Sequence, residues 1–382
     1  MGLLYPSPSE SLNQIASFSL KVDGTSIGTT HKIFSMKTRK EVNKLSRATI
    51  SIIGGDPKQN NFDLSEESIF TTGSEIEISF GYDQTNEIVF KGIIDKHSLS
   101  IKKGFQSRPS KNLLVLECVD KAVILTNTYT SDIYESKKDS DIITALISNV
   151  SGVTNNVSAT TITHDFLPKY NSNDWDFILQ RAEANGMIIF NSDNNLTISE
   201  PMPLVTLPEL TLIYGDGMVD FEGEVNASSQ YSTFDLNTYD PYNEESEASS
   251  SQEPSLIDHG DLDGMTISKD VGPDGNVLST SSFIDSSEAK KIADAYLMKS
   301  RLSRLVGKIC VKGTNIIDIG SIISLEGFGT RFSGSALVTS LSHSFQAGSY
   351  LTWIGFGLKT NLFNSKNNIN VDRYIQKIEG LH

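Results

Sequence analysis

Six histidines and two cysteines are the side chains of this sequence best suited to metal binding, proton transfer or nucleophilic attack. His31, His97, His164, His259, His343 and His382 are scattered, with no HExxH pair to hold zinc from one helix face. Cys118 and Cys310 lie far apart, and neither has the CxxC partner of a zinc or redox site. Each sits in an apolar, strand-like stretch (residues 113–119 and 308–311), where a buried free thiol suits a reducing cytosol. Asp258-His259-Gly260-Asp261-Leu262-Asp263-Gly264 has the acidic density of a calcium loop. Setting Gly264 at the invariant glycine puts His259 first and Asp270 twelfth, where the ion needs a carboxylate and a bidentate glutamate. An acidic turn is expected instead. Asp174 and Asp176 form a close carboxylate pair, but on a negative surface they read equally as residues of a helix start. There is no Gly-x-Ser-x-Gly elbow, phosphate-binding loop or dinucleotide fingerprint. Catalytic, cofactor-binding and metal residues are therefore predicted to be none, and an enzyme is not expected.

The framework around these residues reads as mainly β with an α+β insertion. The chain has 382 residues, enough for two or three domains, and 38% are hydrophobic. Its 32 basic and 47 acidic side chains give a formal charge of −15, which repels phosphate backbones and argues against nucleic-acid binding. No apolar run approaches the roughly 18 residues of a membrane helix, so stable membrane insertion is not expected. Residues 1–11 lack the basic and apolar regions of a secretion signal. Phe18, Leu20 and Val22 alternate with polar neighbours, as do Ala48, Ile50 and Ile52, then Ile76, Ile78 and Phe80, and residues 89–94 and 113–119 continue the pattern. Turn chemistry separates them at Asp23-Gly24, Gly54-Gly55-Asp56-Pro57, Gly73-Ser74 and Lys103-Gly104. A first small β-barrel over residues 1–125 follows.

The period then changes. Ile142, Ile143, Leu146, Ile147 and Val150 recur at helical spacing, with Asp139 or Ser140 placed to cap the start. Trp175, Ile178, Leu179 and Ala182 form a second stripe that Gly186 closes, and a hairpin turns at Asp193-Asn194-Asn195. Residues 126–203 are predicted as an α/β insertion domain. Residues 204–302 begin a second barrel, pass through an acidic, serine-rich stretch (243–255) expected to be an exposed loop or mobile linker, and end in a helix. Asp285 and Glu288 cap that helix, whose Ala289, Ile292, Ala293, Tyr296 and Leu297 share a face. Alternation returns over residues 303–362, the second barrel. Residues 363–382 form a tail in which Val371, Tyr374, Ile375 and Ile378 recur near helical spacing, over too few residues for an isolated helix.

An internal repeat ties the two β regions together. Gly73-Ser74 and its apolar strand are followed by Phe90-Lys91-Gly92, Ile93-Ile94 and His97-Ser98. Gly320-Ser321 and its strand are followed by Phe332-Ser333-Gly334, Leu337-Val338 and His343-Ser344. One barrel unit used twice is the physical reading, with each glycine at a sharp bend or a close backbone approach and the histidines in equivalent structural places.

Three segments then resemble a known family. Residues 70–82 with Val89-Phe-Lys-Gly-Ile-Ile-Asp95 resemble the first barrel of phage tail hub proteins. Residues 170–187, an aromatic and acidic helix around Trp175 that ends in a glycine, are similar to their most recognisable stretch. Residues 320–357 look like their second barrel. This is the VgrG-type spike and hub family of contractile injection systems, and the resemblance spans residues 15–362. It implies two similar barrels per chain and a homotrimer whose six barrels form a pseudo-sixfold ring around a channel. It implies a structural hub of the baseplate that adapts the sixfold inner tube to the threefold spike and is expelled on sheath contraction. The implied partners are the inner tube protein, the spike tip or C-terminal needle, baseplate proteins and effector cargo. Assembly would take place in the cytoplasm, with release or translocation on contraction. Long members continue into an oligonucleotide-binding-like barrel and a needle; this sequence stops at His382, and those parts are not credited to it. A tail-associated cell-wall-degrading enzyme and a glycan-binding adhesin are the alternatives.

Overall fold

The computed structural model describes residues 14–27, 31–55, 62–102, 111–201, 207–240, 245–256, 259–270, 276–279 and 286–358. The predicted turns at Asp56-Pro57 and Lys103-Gly104, together with Asp258, Asp285, His382 and the tail 363–382, lie outside them. The first third forms β1 (Ala16–Val22), β2 (Thr25–Ser26), β3 (Lys32–Glu41), β4 (Arg47–Ile53), β5 (Glu75–Tyr82), β6 (Thr85–Lys102) and β7 (Lys111–Val119), of which β2 and β3 were not among the alternating segments expected from sequence. Ala48, Ile50 and Ile52 are buried on one face of β4, as their spacing dictates, and Ile76, Ile78 and Phe80 likewise on β5. The neighbours run β3-β4-β7-β6-β5-β1, every pair antiparallel.

Residues 129–199 follow as β8 (Tyr129–Lys138), α1 (Asp139–Ser148), β9 (Thr154–Val157), β10 (Thr163–Asn173), α2 (Asp174–Ala184), β11 (Ile188–Ser192) and β12 (Asn195–Ser199). Both helical stripes meet one core, in which Ile143, Ile147, Trp175, Phe177 and Ile178 pack with Ile189 and Ile198 of the hairpin. Gly186 takes φ +68 just past the end of α2, and Asp193 and Asn194 turn the hairpin with φ 56 and 65. The predicted cap of α1 is corrected. Its N-cap position is Lys138, without a side-chain bond, and Asp139 turns inward to bind Arg181 instead.

The last part contains β13 (Leu210–Ile213), β14 (Met218–Val225), β15 (Phe234–Asp240), β16 (Glu245–Ser250), α3 (Gly264–Asp270), β17 (Asn276–Ser279), α4 (Ser286–Leu302), β18 (Leu305–Lys312), β19 (Ile322–Glu326), α5 (Gly329–Phe332), β20 (Gly334–Gln346) and β21 (Ser349–Phe356). Six of these strands run β14-β18-β21-β20-β19-β13, which repeats the first order strand for strand and in the same chain order. One pair differs: β13 lies parallel to β19, whereas β1 is antiparallel to β5. The acidic, serine-rich stretch is a loop only in part: residues 251–255 carry no regular structure, 243 and 244 lie outside the described residues, and the rest forms a strand. Its residues 245–250 pair with β15 from Asp240↔Glu245 to Asp235↔Ser250, and as an exposed edge strand they need no apolar side chains.

The repeat extends to single residues. Gly73 and Gly320 sit at φ +94 and +93 and donate to the carbonyls of Ile94 and Val338, each at 2.8 Å. Ile94 and Val338 donate back to Ser74 and Ser321, each at 2.9 Å. The ladders bulge at the next residue in both units, Asp95 and Thr339, and again at Phe34 of β3 and Val219 of β14. Anchored this way, Gly92 faces Ile76 and Ala336 faces Ile323. Gly92 therefore matches Ala336 rather than Gly334, and His97 matches Leu341 rather than His343. The Phe-x-Gly and His-Ser correspondences expected from sequence are two residues out of register. A two-residue slip keeps every side chain on its face, so a period-two pattern conceals it. The close approach expected at Gly92 is real: a Cβ there would lie 2.3 Å from the Val119 carbonyl oxygen.

The two units are fused. The second half of β20 pairs antiparallel with β3, from Ser340↔Glu41 to Gln346↔Ser35, and all these strands join one 13-stranded sheet.

Candidate assembly interface

The β20–β3 seam shows how one unit adds to another. On its core side Leu341, His343 and Phe345 stand opposite Lys40, Thr38 and Met36, and all six are buried. Phe345 stacks on Phe80 of the first unit with ring centroids 5.6 Å apart. Lys40 is the exceptional residue, 2% exposed. Its Nζ donates to Ser192 Oγ at 2.6 Å, Asp318 Oδ2 at 2.9 Å and Asp193 Oδ2 at 3.1 Å. A buried ammonium is tolerated only when paired and hydrogen-bonded, and here three acceptors surround it. One cation thus ties β3 to the insertion hairpin and to the segment before Gly320. Beside it, His343 Nδ1 lies 3.1 Å from Thr352 Oγ1 and 3.0 Å from the Tyr350 hydroxyl. Burial, and then the charge of Lys40, push its pKa down to about 3, so the ring is neutral and packs as core.

A second buried network locks the insertion to α4. Arg181 on α2 donates from Nε to Asp139 Oδ1 at 2.6 Å, from Nη2 to Asp139 Oδ2 at 2.9 Å, and to Glu288 Oε1 of α4 at 2.9 Å. His164 Nε2 and Asn185 Nδ2 approach the same Asp139 oxygen at 3.1 and 2.7 Å. Burial disfavours the Asp139 carboxylate, but the hydrogen bonds and charge of Arg181 outweigh it and hold its pKa below the usual range. Among the described residues no serine, threonine or cysteine side chain hydrogen-bonds to Asp139 or His164. The network is a clamp between α1, β10, α2 and α4.

The remaining residues singled out in the sequence are accounted for structurally. His31 Nε2 meets Glu67 at 2.9 Å, and His97 Nδ1 meets the Phe70 carbonyl at 2.9 Å. His259 Nε2 donates to the Phe332 carbonyl at 3.1 Å, and burial lowers its pKa to about 4. Burial pushes Cys118 up to about 12 and Cys310 up to about 11, so both thiols stay protonated and unreactive. Asp263 accepts from the Thr266 amide at 3.1 Å at the start of α3, and Asp176 accepts from Asn173, the cap of α2. Among the described residues no group of three His, Cys, Asp or Glu side chains is placed to hold a metal ion, and no helix is long and apolar enough to cross a membrane. Sequence reading missed Lys40, Asp139, His164 and Arg181 as linking residues. Asp139 was visible only as a candidate cap of α1, and its distant partners were not.

Solved structures share this fold. A 43 kDa tail protein of prophage MuSo2 from Shewanella oneidensis aligns with TM-score 0.65 at 13% identity, covering 90% of this chain and 98% of that one. A tail protein from Neisseria meningitidis MC58 aligns with TM-score 0.64 at 13% identity, covering 91% and 98%. An E. coli component of the type VI secretion system, itself similar to the T4 bacteriophage tail proteins gp27 and gp5, aligns with TM-score 0.53 at 10% identity, covering 90% and 77%. At these identities the likeness is one of fold: the chain has the architecture of phage tail proteins. No curated protein matches the sequence. One family model, described as the Alg8 N-terminal domain, matches residues 12–347, which take in both six-stranded units apart from their last strand β21, and the chain belongs to that family.

Proposed function

We propose that this protein is the structural hub of a contractile injection particle of the VgrG and phage-tail type. Three chains close a ring of six β units that adapts the sixfold inner tube to the threefold spike, and the ring is expelled with the tube when the sheath contracts. In this reading the chain comprises a first barrel (1–125), the α/β insertion (126–203), the second barrel with its insertion (204–362) and a tail toward the spike (363–382). Its partners are two further copies, the inner tube protein, the spike tip or needle, baseplate proteins and effector cargo, met during assembly in the cytoplasm. The observation that carries the reading is the duplication: two units of one strand order that share two bulge positions, already joined edge to edge within a chain. Two units in each of three chains make six equivalent positions, which a sixfold tube requires. The role is mechanical, and the buried ion networks serve rigidity rather than turnover.

The test is mass by light scattering on the purified full chain. Three times the 41.8 kDa of one chain is expected. A stable monomer that rapidly solubilises peptidoglycan would replace the hub with a cell-wall-degrading enzyme, and glycan binding by that monomer would favour an adhesin.

A further inference from the structure

The internal seam has an unused counterpart. In the second unit, residues 340–346 of β20 carry β3 on the side that faces away from β21. The equivalent residues of the first unit, 96–102 of β6, pair with β7, and among the described residues no strand occupies their other side. In the second unit the equivalent of β3 is β14, which pairs with β18 and with no other described strand. Among the described residues, each chain therefore carries one unpaired edge of the β20 kind and one of the β3 kind. Leu99 and Ile101 on β6 are 46% and 66% exposed, an apolar edge that soluble proteins cover or interrupt with charge.

We infer that β6 of one chain pairs antiparallel with β14 of a second copy, in the register that β20 and β3 adopt within a chain. This rests on the hub reading and names its contact. The residue equivalences leave no adjustable register. They set His97 opposite Val225 of the partner, Leu99 opposite Gly223 and Ile101 opposite Phe221 on the core side, and Ser98 opposite Glu224 and Ser100 opposite Glu222 on the other. On the face that is buried at the internal seam, Leu99 and Ile101 meet glycine and phenylalanine and His97, bonded to the Phe70 carbonyl, meets Val225, while hydroxyls meet carboxylates on the polar face. A register shifted by one residue would set Leu99 against Glu222 or Glu224. Since the two edges differ, the contact is head-to-tail and closes only as a ring.

The experiment uses the full chain carrying Ser98→Cys and Glu224→Cys, with Ser98→Cys and Glu222→Cys as the shifted control. Directly opposed positions in antiparallel strands have Cα atoms about 4.5–5.5 Å apart, within disulfide reach, whereas diagonal ones are about 7–8 Å apart. Mild oxidation is expected to give a ladder ending at three cross-linked chains for the opposed pair, at least tenfold faster than for the control. A trimer by light scattering without that cross-link, or with equal cross-linking in the control, overturns the seam and leaves the hub reading intact. Cross-links that form selectively but stop at two chains, or run on without end, uphold the seam and overturn the ring of three. A folded chain that neither associates nor cross-links overturns both. A second variant, Ile101→Glu, is expected to weaken association at least tenfold while far-UV circular dichroism stays unchanged; undiminished association would also count against the seam.

Discussion

Replacing Arg181 with methionine tests whether the insertion domain is held by its buried ion cluster. The Asp139 side chain is 1% exposed and that of Arg181 11%, so solvent screens their attraction little. Methionine keeps much of the volume but removes both bonds to Asp139 and the bond to Glu288. Breaking a buried pair from one side leaves an uncompensated charge, at a cost of about 3–5 kcal/mol, whereas removing both charges is close to neutral. Arg181→Met should thus lose about 3–5 kcal/mol near neutral pH, and Asp139→Asn added to it should restore about half or more. The sign with pH follows from the lowered pKa of Asp139. In the parent, its stabilisation is complete above the ordinary carboxylate range near about 4 and is lost as pH falls through the lower folded value. In the variant, burial acts without the guanidinium, so the carboxyl takes up its proton at higher pH and the deficit narrows in acid. Urea denaturation from pH 7 to pH 4 reads both effects. A deficit below about 1 kcal/mol at pH 7, or one that widens in acid, would refute the reasoning.

Other outcomes follow from the same contacts. Trp175, 4% exposed in the insertion core, should cost about 3–5 kcal/mol when cut to alanine, read as a lower denaturation midpoint; unchanged stability with failed particle assembly would move it to an interface. Glu253 grips the buried Arg301 through two bonds of 2.5 and 2.8 Å, so Glu253→Ala should cost about 1–3 kcal/mol by the same measurement, and a silent substitution would return residues 245–253 to the status of a dispensable loop. His343 and His259 are held neutral with pKa values lowered to about 3 and about 4, so the unfolded chain binds more protons below its ordinary histidine pKa of about 6.5. Stability should fall as pH drops from about 6.5 toward 4, with no ring titration of His343 by NMR above pH 5; a His343 signal that titrates near 6.5 would contradict its burial.

Legibility from sequence followed the range of the interaction. Strands such as β4 and β5 were readable because a half-buried strand needs only alternation, and α2 because its stripe and its closing Gly186 are local. The edge strand β16 was hidden by composition: an exposed edge can be built from serine and glutamate, which also make loops. Gly-Ser turns at 73–74 and 320–321 gave the repeat, but its register depends on which carbonyl each glycine amide reaches, and that is a fact of tertiary structure. Lys40 lies in β3, a strand that the sequence reading did not single out. Its partners Ser192, Asp193 and Asp318 come from distant parts of the chain, and nothing near residue 40 announces them.

The buried lysine at the internal seam has a consequence for how the two kinds of joint can differ. Within a chain, β20 meets β3 as a unimolecular event, because the intervening polypeptide holds the edges together at an effective concentration on the order of millimolar or above. That joint needs little intrinsic affinity, and its core side can hold a charged Lys40 and a neutral His343 without failing to form. A joint between chains receives no such help and must overcome the loss of translational and rotational freedom, roughly 4–15 kcal/mol. On the edge that β14 would offer to a second copy, Val225, Gly223 and Phe221 stand where the internal edge has Lys40, Thr38 and Met36, with no buried ammonium to satisfy. If the seam between chains forms as inferred, connectivity as well as geometry shapes which side chains each edge tolerates. A chain cut between the two units would expose the internal seam to the same dilution, and that seam, with its buried cation, would be the first to open.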